Sequence, residues 1–336
     1  MTLALWHWHI EVSSKCTLKC PRCPRQEVPE GLINTELGLE FFWDNFPEEF
    51  IKNHVQKITF CGDNGDPIYA HDFLDIVKYL KNTKPSIEIV IVTNGSYRTP
   101  LWWESLGKLL DSQDSVHFSI DGHNNETNNQ YRVNSEFDGI ITGIRQLRTY
   151  SQCQIVWDAI AFKFNQDFIP SMKLLAQGLG VDRFQLTRST KFQKIYPIYG
   201  PEDPLQPNDE YISSSFRFER EVTDFTNRET AAPKINYDLY NSSKVVNGVR
   251  SLCSIGNKGL YISATGDFYP CCWVANRYAH NSEWQKLGKR FNLYEQTLET
   301  VLKNEFWSGE FQTYRWVECK TKCDQALVDE KYATQW

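Results

Sequence analysis

Between residues 5 and about 187, short apolar β-rich segments alternate with segments whose apolar residues recur at helical spacing. This alternation is typical of an α/β fold, in which parallel strands joined by right-handed crossovers form one sheet. Ligands of such sheets bind at the carboxyl ends of the strands. The pattern predicts six strands: His9–Ser13, Lys57–Cys61, Ile87–Thr93, Val116–Ile120, Ile155–Phe162 and Arg183–Thr187.

Helices are predicted between these strands from apolar stripes with a period of 3.6 residues. Thr35 is the expected N-cap of the first helix, because threonine side chains accept hydrogen bonds from the first turn. The other predicted helices are His71–Leu80, Leu101–Leu110, Phe137–Tyr150 and Phe168–Gly178.

The pattern weakens after Thr187. We therefore divide the chain into residues 1–190, a bridging or substrate-shaping segment 191–250 that is rich in Pro, Asn, Ser and Tyr, and a cysteine-containing region 251–336. In the last region, a β-hairpin is predicted from Leu260–Ala264 through Thr265-Gly266 to Asp267–Tyr269. A helix is predicted over Tyr294–Asn304.

Composition excludes several classes of protein. The 336 residues carry a net charge of -6 and contain no run of Lys and Arg, so a nucleic-acid partner is not expected. The apolar start, Met1 to Ile10, lacks the features of a signal peptide, and no stretch approaches the roughly 20 apolar residues of a membrane span. We expect a soluble, cytoplasmic protein.

Ten cysteines stand in the chain, and eight of them form two groups towards its ends. Without a signal peptide, this distribution favours metal sites over disulfides. Cys61, Cys153 and His117 are interpreted as core or cluster-adjacent residues, because free cysteine is often buried. His7 and His9 alternate on the first strand and are interpreted as structural.

The first group is Cys16, Cys20 and Cys23, directly after the first predicted strand. A [4Fe–4S] cluster normally takes four thiolates, so three closely spaced ligands can hold three irons and leave the fourth open for a ligand. A zinc knuckle or a structural iron–sulfur site is the alternative.

This C-x3-C-x2-C spacing resembles the signature of the radical S-adenosylmethionine (SAM) superfamily. The resemblance implies a partial (β/α)6 barrel in which the open iron chelates SAM. It also implies that an electron from the cluster cleaves SAM, and that the resulting 5′-deoxyadenosyl radical abstracts a hydrogen atom from the substrate. A low-potential donor such as flavodoxin or ferredoxin would supply the electron. Arg22 stands where the family commonly has an aromatic residue.

Four further segments resemble the family in their order. Gly65 and Asp66 lie in a segment that resembles the family's SAM-ammonium-binding Gly-Gly-Glu-Pro, although Asn-Gly-Asp-Pro is also an ordinary turn. Ile91 to Gly95 resembles a strand that ends in a tight turn in many members of the family. Ser119 and Asp121 match the fourth-strand segment whose polar residues approach SAM, although Asp121 could equally cap the next element. Asn165 stands where relatives often place an Asn near the cofactor.

The C-terminal cysteines resemble the auxiliary-cluster region of the SPASM and twitch subfamilies. Five cysteines lie here, fewer than a full SPASM region carries, so a twitch-like extension with one further [4Fe–4S] cluster is the better match. A four-thiolate zinc site is the alternative. The expected ligands are Cys253, Cys271, Cys319 and Cys323.

Cys272 is a candidate catalytic residue. Adjacent side chains on an extended segment point to opposite faces, so a cluster-facing Cys271 would leave Cys272 towards the substrate as a hydrogen, proton or electron donor or acceptor. Two other interpretations stay open: Cys272 is a buried apolar residue, or it is the ligand and Cys271 is not.

The resemblance implies an enzyme that acts on a peptide or protein side chain, or on a small polar metabolite. Because Cys16 lies so near the start, we expect no peptide-recognition domain ahead of the barrel. The alternative hypothesis is a non-catalytic binding protein whose fold is stabilised by a zinc ion or an iron–sulfur cluster. The Asp66 and Ser119–Gly122 motifs discriminate between an enzyme and such a binding protein, because the binding protein needs no SAM site.

Overall fold

The computed structural model describes most of the first 189 residues and scattered parts of the rest. The chain divides into two compact units that each combine separate segments. Unit 1 contains Met1–Cys16, Pro24–Ile91 and Ala231–Trp336, and unit 2 contains Thr17–Cys23 and Val92–Thr230. The described residues are 3–189, 192, 203–212, 219–226, 245–246, 248, 253, 259–275, 289–313 and 319.

Nine strands and ten α-helices lie within the described residues. The strands are β1 His7–Ile10, β2 Lys57–Phe60, β3 Glu88–Thr93, β4 Ser115–Ser119, β5 Gln154–Ile160, β6 Arg183–Arg188, β7 Glu219–Asp224, β8 Leu260–Ile262 and β9 Phe268–Tyr269. The helices are α1 Pro24–Glu27, α2 Leu39–Asn45, α3 Glu48–His54, α4 Phe73–Thr83, α5 Pro100–Gly107, α6 Asn125–Asn129, α7 Phe137–Tyr150, α8 Ile169–Gly178, α9 Cys272–Ala275 and α10 Leu298–Leu302.

In unit 1 the strands lie in the order β3-β2-β1-β8-β9. β1 pairs in parallel with β2 on one side and with β8 on the other, and β2 pairs in parallel with β3. All four residues of β1 are buried, as expected of a central strand in a parallel sheet. The predicted hairpin is confirmed, since β8 and β9 pair antiparallel.

In unit 2 the strands lie in the order β4-β5-β6-β7. β4, β5 and β6 are parallel, and β7 adds an antiparallel edge strand. Thr99 caps helix α5, because its hydroxyl accepts from the Trp102 amide, and Pro100 is the first residue of the helix. Its Trp103 ring packs against Phe118 of β4, with 5.3 Å between ring centroids. The predicted α/β fold with parallel strands is therefore confirmed.

The structure differs from the sequence predictions at several elements, including the first strand, which was predicted over His9–Ser13 and spans His7–Ile10. Thr35 is not an N-cap, because helix α2 begins at Leu39 and Thr35 instead donates its amide to the Ser14 hydroxyl. The helix predicted over Tyr294–Asn304 is limited to α10, which Thr297 caps through the Thr300 amide. Strand β7 was not predicted at all, since its sequence is dominated by charged residues.

No helix among the described residues is long and apolar enough to cross a membrane.

Candidate functional site

A tight turn follows β2 in unit 1 and is fixed by a carboxyl group at the end of β1. The Glu11 carboxyl accepts hydrogen bonds from the amides of Asn64 at 2.6 Å and Gly65 at 3.1 Å. Its other oxygen accepts from the Tyr261 hydroxyl at 3.1 Å. Burial raises the pKa of Glu11, and these donors oppose that rise. The turn predicted to bind SAM is thus fastened to the strand that leads to Cys16.

Gly65 is required for the close approach of this turn to the chain before Cys16. A Cβ atom at Gly65 would lie 2.2 Å from the Ser13 carbonyl oxygen, so any other residue would push the two segments apart. Arg25 reinforces the contact, because its guanidinium donates to the carbonyl oxygens of Ser14 at 2.5 Å and Asn64 at 3.3 Å.

The Asp66 side chain is buried and accepts a local hydrogen bond. Its Oδ1 accepts from the Ile68 amide at 3.2 Å and caps a single turn of 3-10 helix, Pro67–Tyr69. The Asp66 amide donates to the Lys15 carbonyl oxygen at 3.1 Å. Asp66 therefore lies in the same turn as Gly65 and contacts the residue before Cys16. Its role towards SAM stays a prediction.

In unit 2 the cysteine loop packs beside a buried ion pair. Cys20 is 7% exposed, and the Cys23 amide donates to its carbonyl oxygen at 3.1 Å. Burial raises the pKa of the Cys20 thiol to about 11, against the Arg132 guanidinium, which lowers it by charge and by a hydrogen bond. A nearby cation favours the thiolate, the form of cysteine that binds metals. The sequence patterns did not indicate a role for Arg132.

Asp121 is the partner of Arg132. Its Oδ2 accepts from Arg132 Nε at 2.6 Å, and its Oδ1 accepts from the Ile160 amide at 2.7 Å. Burial would lower the pKa of Arg132, but Asp121 and Cys20 raise it above its usual value. Asp121 does not cap α6, since Asn124 does so. Asp121 instead ties the end of β4 to the end of β5.

Asn165 makes a second tie between the same strand ends. Its amide nitrogen donates to the carbonyl oxygens of Asp121 and Ile160, both at 2.8 Å, and its Oδ1 accepts from the Phe162 amide. Ser119 is the last residue of β4, is half-buried, and pairs in register with Asp158. These two residues and Asp121 cluster at the carboxyl ends of parallel strands, where sheets of this class bind ligands.

Arg22, the departure from the family pattern, is fully paired within unit 2. Its guanidinium donates to the Asp203 carboxylate and lies 5.2 Å from the centroid of the Phe192 ring. Both partners belong to the segment predicted to be bridging or substrate-shaping. Arg22 and Asp203 are 181 positions apart, so local sequence patterns could not reveal this contact.

Of the C-terminal cysteines, Cys253 and Cys271 are buried, and Cys272 and Cys319 are half-buried. Cys323 lies outside the described residues. Cys272 opens helix α9, so the premise that it lies on an extended segment is wrong. Cys61 and Cys272 lie near one another: burial raises the pKa of Cys61 well above its usual value, and the Asp63 and Cys272 charges add to this rise.

Histidine at position 9 belongs to the same part of unit 1. Its Nε2 lies 2.8 Å from the Cys61 carbonyl oxygen, and its ring packs edge-on against Tyr261. Burial lowers the pKa of His9 to about 4. The structural interpretation of His9 fits this neutral, enclosed environment.

Within the described part of the chain, no three His, Cys, Asp or Glu side chains converge as a ready metal-binding group. Cys16 belongs to unit 1, whereas Cys20 and Cys23 belong to unit 2. The assignment of the three cysteines to one cluster therefore depends on their spacing and stays a prediction.

Several of the residues described above lie in one segment that resembles a known protein family. Residues 10–162 match the model of the radical SAM superfamily. The matched segment thus begins at the last residue of β1, contains the motif cysteines, Glu11 and the Asn64–Asp66 turn, and ends shortly after β5.

Two curated proteins resemble the chain. One is the tungsten-containing aldehyde ferredoxin oxidoreductase cofactor-modifying protein of Pyrococcus furiosus, 32% identical over 117 residues, which are 34% of this chain and 30% of that protein. The other is the antilisterial bacteriocin subtilosin biosynthesis protein AlbA of Bacillus subtilis, 21% identical over 94% of this chain and 64% of AlbA. The chain therefore spans less than two thirds of the length of either relative.

A solved structure extends the likeness beyond the radical SAM segment. The crystal structure of Streptococcus suis SuiB bound to its precursor peptide SuiA matches with a TM-score of 0.59 and 17% identity. The match covers 98% of this chain and 72% of SuiB. At this identity the likeness shows a shared fold.

Proposed function

We propose that the chain is a radical SAM enzyme, which cleaves SAM reductively and abstracts a hydrogen atom from a peptide or protein side chain or a small polar metabolite. The observation that carries the proposal is the C-x3-C-x2-C motif directly after β1, inside a segment that matches the superfamily. The turn that follows β2 and the polar strand ends of β4 and β5 support it.

The cysteine spacing and the cation beside Cys20 support an iron–sulfur cluster. Metal binding requires thiolates, and Arg132 opposes the rise that burial causes in the pKa of Cys20. We assign Cys16, Cys20 and Cys23 as the ligands of a [4Fe–4S] cluster, which would supply the electron that cleaves SAM. Cys253, Cys271, Cys319 and Cys323 are the proposed ligands of an auxiliary cluster.

The chain's own residues would bind and orient SAM. The turn at Gly65 and Asp66 would receive the ammonium group, since carboxylate and carbonyl oxygens are acceptors for an N–H donor. Ser119, Asp121 and Asn165 lie at neighbouring strand ends in unit 2 and would shape the second part of the SAM site. A low-potential donor such as flavodoxin or ferredoxin remains the proposed electron source.

A peptide is the favoured substrate class. AlbA acts in the biosynthesis of a bacteriocin, and SuiB was solved with a precursor peptide. Both are similar to this chain over nearly its full length, which supports a peptide over a small metabolite.

The variant Asp66→Asn tests the SAM site. The asparagine oxygen can still accept from the Ile68 amide, so the turn should fold, but the negative charge is lost. We expect about tenfold weaker SAM binding by anaerobic calorimetry, with the iron content of the wild type. An unchanged dissociation constant would remove Asp66 from the proposed site.

A further inference from the structure

Glu11 lies where a single side chain can set the geometry of the proposed SAM turn. It directly follows β1, is 1% exposed, and accepts hydrogen bonds from the amides of both Asn64 and Gly65. A buried carboxyl group is costly to desolvate, so a neutral residue would be favoured here if only packing mattered.

The two amide contacts also orient the carbonyl groups of the turn. In a planar trans peptide the N–H and C=O bonds point in opposite directions. When the amides of Asn64 and Gly65 face Glu11, the carbonyl oxygens of Asp63 and Asn64 must face away from it. The Asn64 oxygen also accepts from Arg25 at 3.3 Å, which leaves its second lone pair for a ligand. The Glu11 carboxyl thus determines which side of the turn presents acceptor oxygens, and acceptors are what an ammonium group requires.

A residue of the C-terminal region completes the environment of Glu11. Tyr261 is the middle residue of β8, which pairs in parallel with β1 and places Tyr261 in register with His9. Its hydroxyl donates to Glu11 Oε2 at 3.1 Å across 250 residues of sequence. The same carboxyl group therefore contacts the turn after β2 and the strand β8.

We propose that Glu11 is a positioning residue for the SAM ammonium group, and that the Tyr261 hydroxyl makes this role depend on strand β8. The inference rests on the proposed function, because it assigns Glu11 to the turn that would receive SAM. Glu11 itself touches no reacting atom; it acts through the backbone of residues 63–65. The consequence is that the C-terminal region influences SAM affinity through one hydrogen bond.

The test measures two ligands with the reconstituted full-length protein under anaerobic conditions. SAM carries the ammonium group, and 5′-methylthioadenosine has the same nucleoside without the amino-acid part. For Glu11→Gln we expect the SAM dissociation constant to rise about tenfold while that of 5′-methylthioadenosine stays within twofold. For Tyr261→Phe we expect a rise of about threefold for SAM alone. Glu88→Gln, which removes a carboxyl paired with Lys57 in the same unit, is the control.

Each outcome decides the inference. Equal weakening of both ligands would mean that Glu11 merely holds the unit together, and unchanged SAM binding would mean that it does not position the turn; either result overturns the proposal. If Glu11→Gln does not fold, Tyr261→Phe carries the same comparison. Wild-type protein that fails to bind SAM would refute the proposed function itself, which separates that failure from a silent Glu11 variant.

Discussion

Glu11 in unit 1 and Asp121 in unit 2 occupy similar positions and are satisfied in different ways. Each is a buried carboxyl just beyond the end of a parallel strand, and burial raises the pKa of each above its ordinary value. Glu11 is surrounded by neutral donors, namely two backbone amides, the Asn64 side chain and the Tyr261 hydroxyl. Asp121 instead faces the Arg132 guanidinium.

The difference separates two kinds of structural element. Removing the charge of Asp121 leaves the mostly buried Arg132, whose side chain is 17% exposed, without its partner, which costs more than the pair contributes. Removing the charge of Glu11 leaves only neutral groups, most of which an amide can still satisfy. The Asp121 region should therefore dominate stability, whereas the Glu11 region can be changed without unfolding the chain.

The largest expected effect is that of Asp121→Asn. We expect the free energy of unfolding to fall by about 3–5 kcal/mol, because the mostly buried Arg132 would then lie beside a neutral amide. Urea denaturation followed by circular dichroism measures the loss, and an unchanged slope of the transition would show that both states keep their compactness. Glu221→Gln, which breaks the more exposed pair with Lys173, is the control. A loss below about 1 kcal/mol would contradict the comparison.

The next effect depends on pH and belongs to the Glu11 region. The pKa of His9 is about 4 in the folded protein, below the ordinary value of 6.5, so the unfolded chain binds a proton first as the pH falls. Stability from His9 is fully present above about pH 6.5 and is lost as the pH falls towards 4, by about 3 kcal/mol. His9→Gln should remove this loss while keeping a donor for the Cys61 carbonyl. The two unfolding free energies, measured from pH 7 to 4, should converge; parallel curves would refute the assignment.

The smallest effect is the coupling between Glu11 and Tyr261. Singly, Glu11→Gln and Tyr261→Phe should each lower the free energy of unfolding by about 1 kcal/mol. The double variant should lose less than the sum, because the two residues share one hydrogen bond. A cycle with Tyr269→Phe, on the paired strand β9, provides the control. Additive losses for Glu11 and Tyr261 would show that their contact contributes nothing.

Features that depend only on residues close together in the chain could be predicted from local sequence patterns. Cys16, Cys20 and Cys23 lie within eight positions, and the Asn64-Gly65-Asp66 turn follows from its composition. The parallel strands could also be predicted, because a strand that is buried on both faces has a continuous apolar sequence. Asp66 stands where the family's Gly-Gly-Glu-Pro segment has Glu, and this difference could also be read from the sequence.

Contacts that depend on strand order and register could not be predicted from the sequence. Glu11 meets Tyr261 only because β8 pairs with β1, and nothing in the sequence of residues 260–262 indicates which strand they join. Arg22 and Asp203 are likewise brought together by the fold. The position of Arg132 beside Asp121 and Cys20 is also produced only by the fold.

Reductive cleavage of SAM tests the central claim most directly. Protein reconstituted anaerobically with iron and sulfide should convert SAM to 5′-deoxyadenosine when dithionite is added. A variant with Cys16, Cys20 and Cys23 all replaced by alanine should form none, even if it retains iron at the C-terminal cysteines. Formation of 5′-deoxyadenosine by that variant would contradict the cluster assignment, and wild-type protein that binds iron but leaves SAM intact would contradict the proposed function.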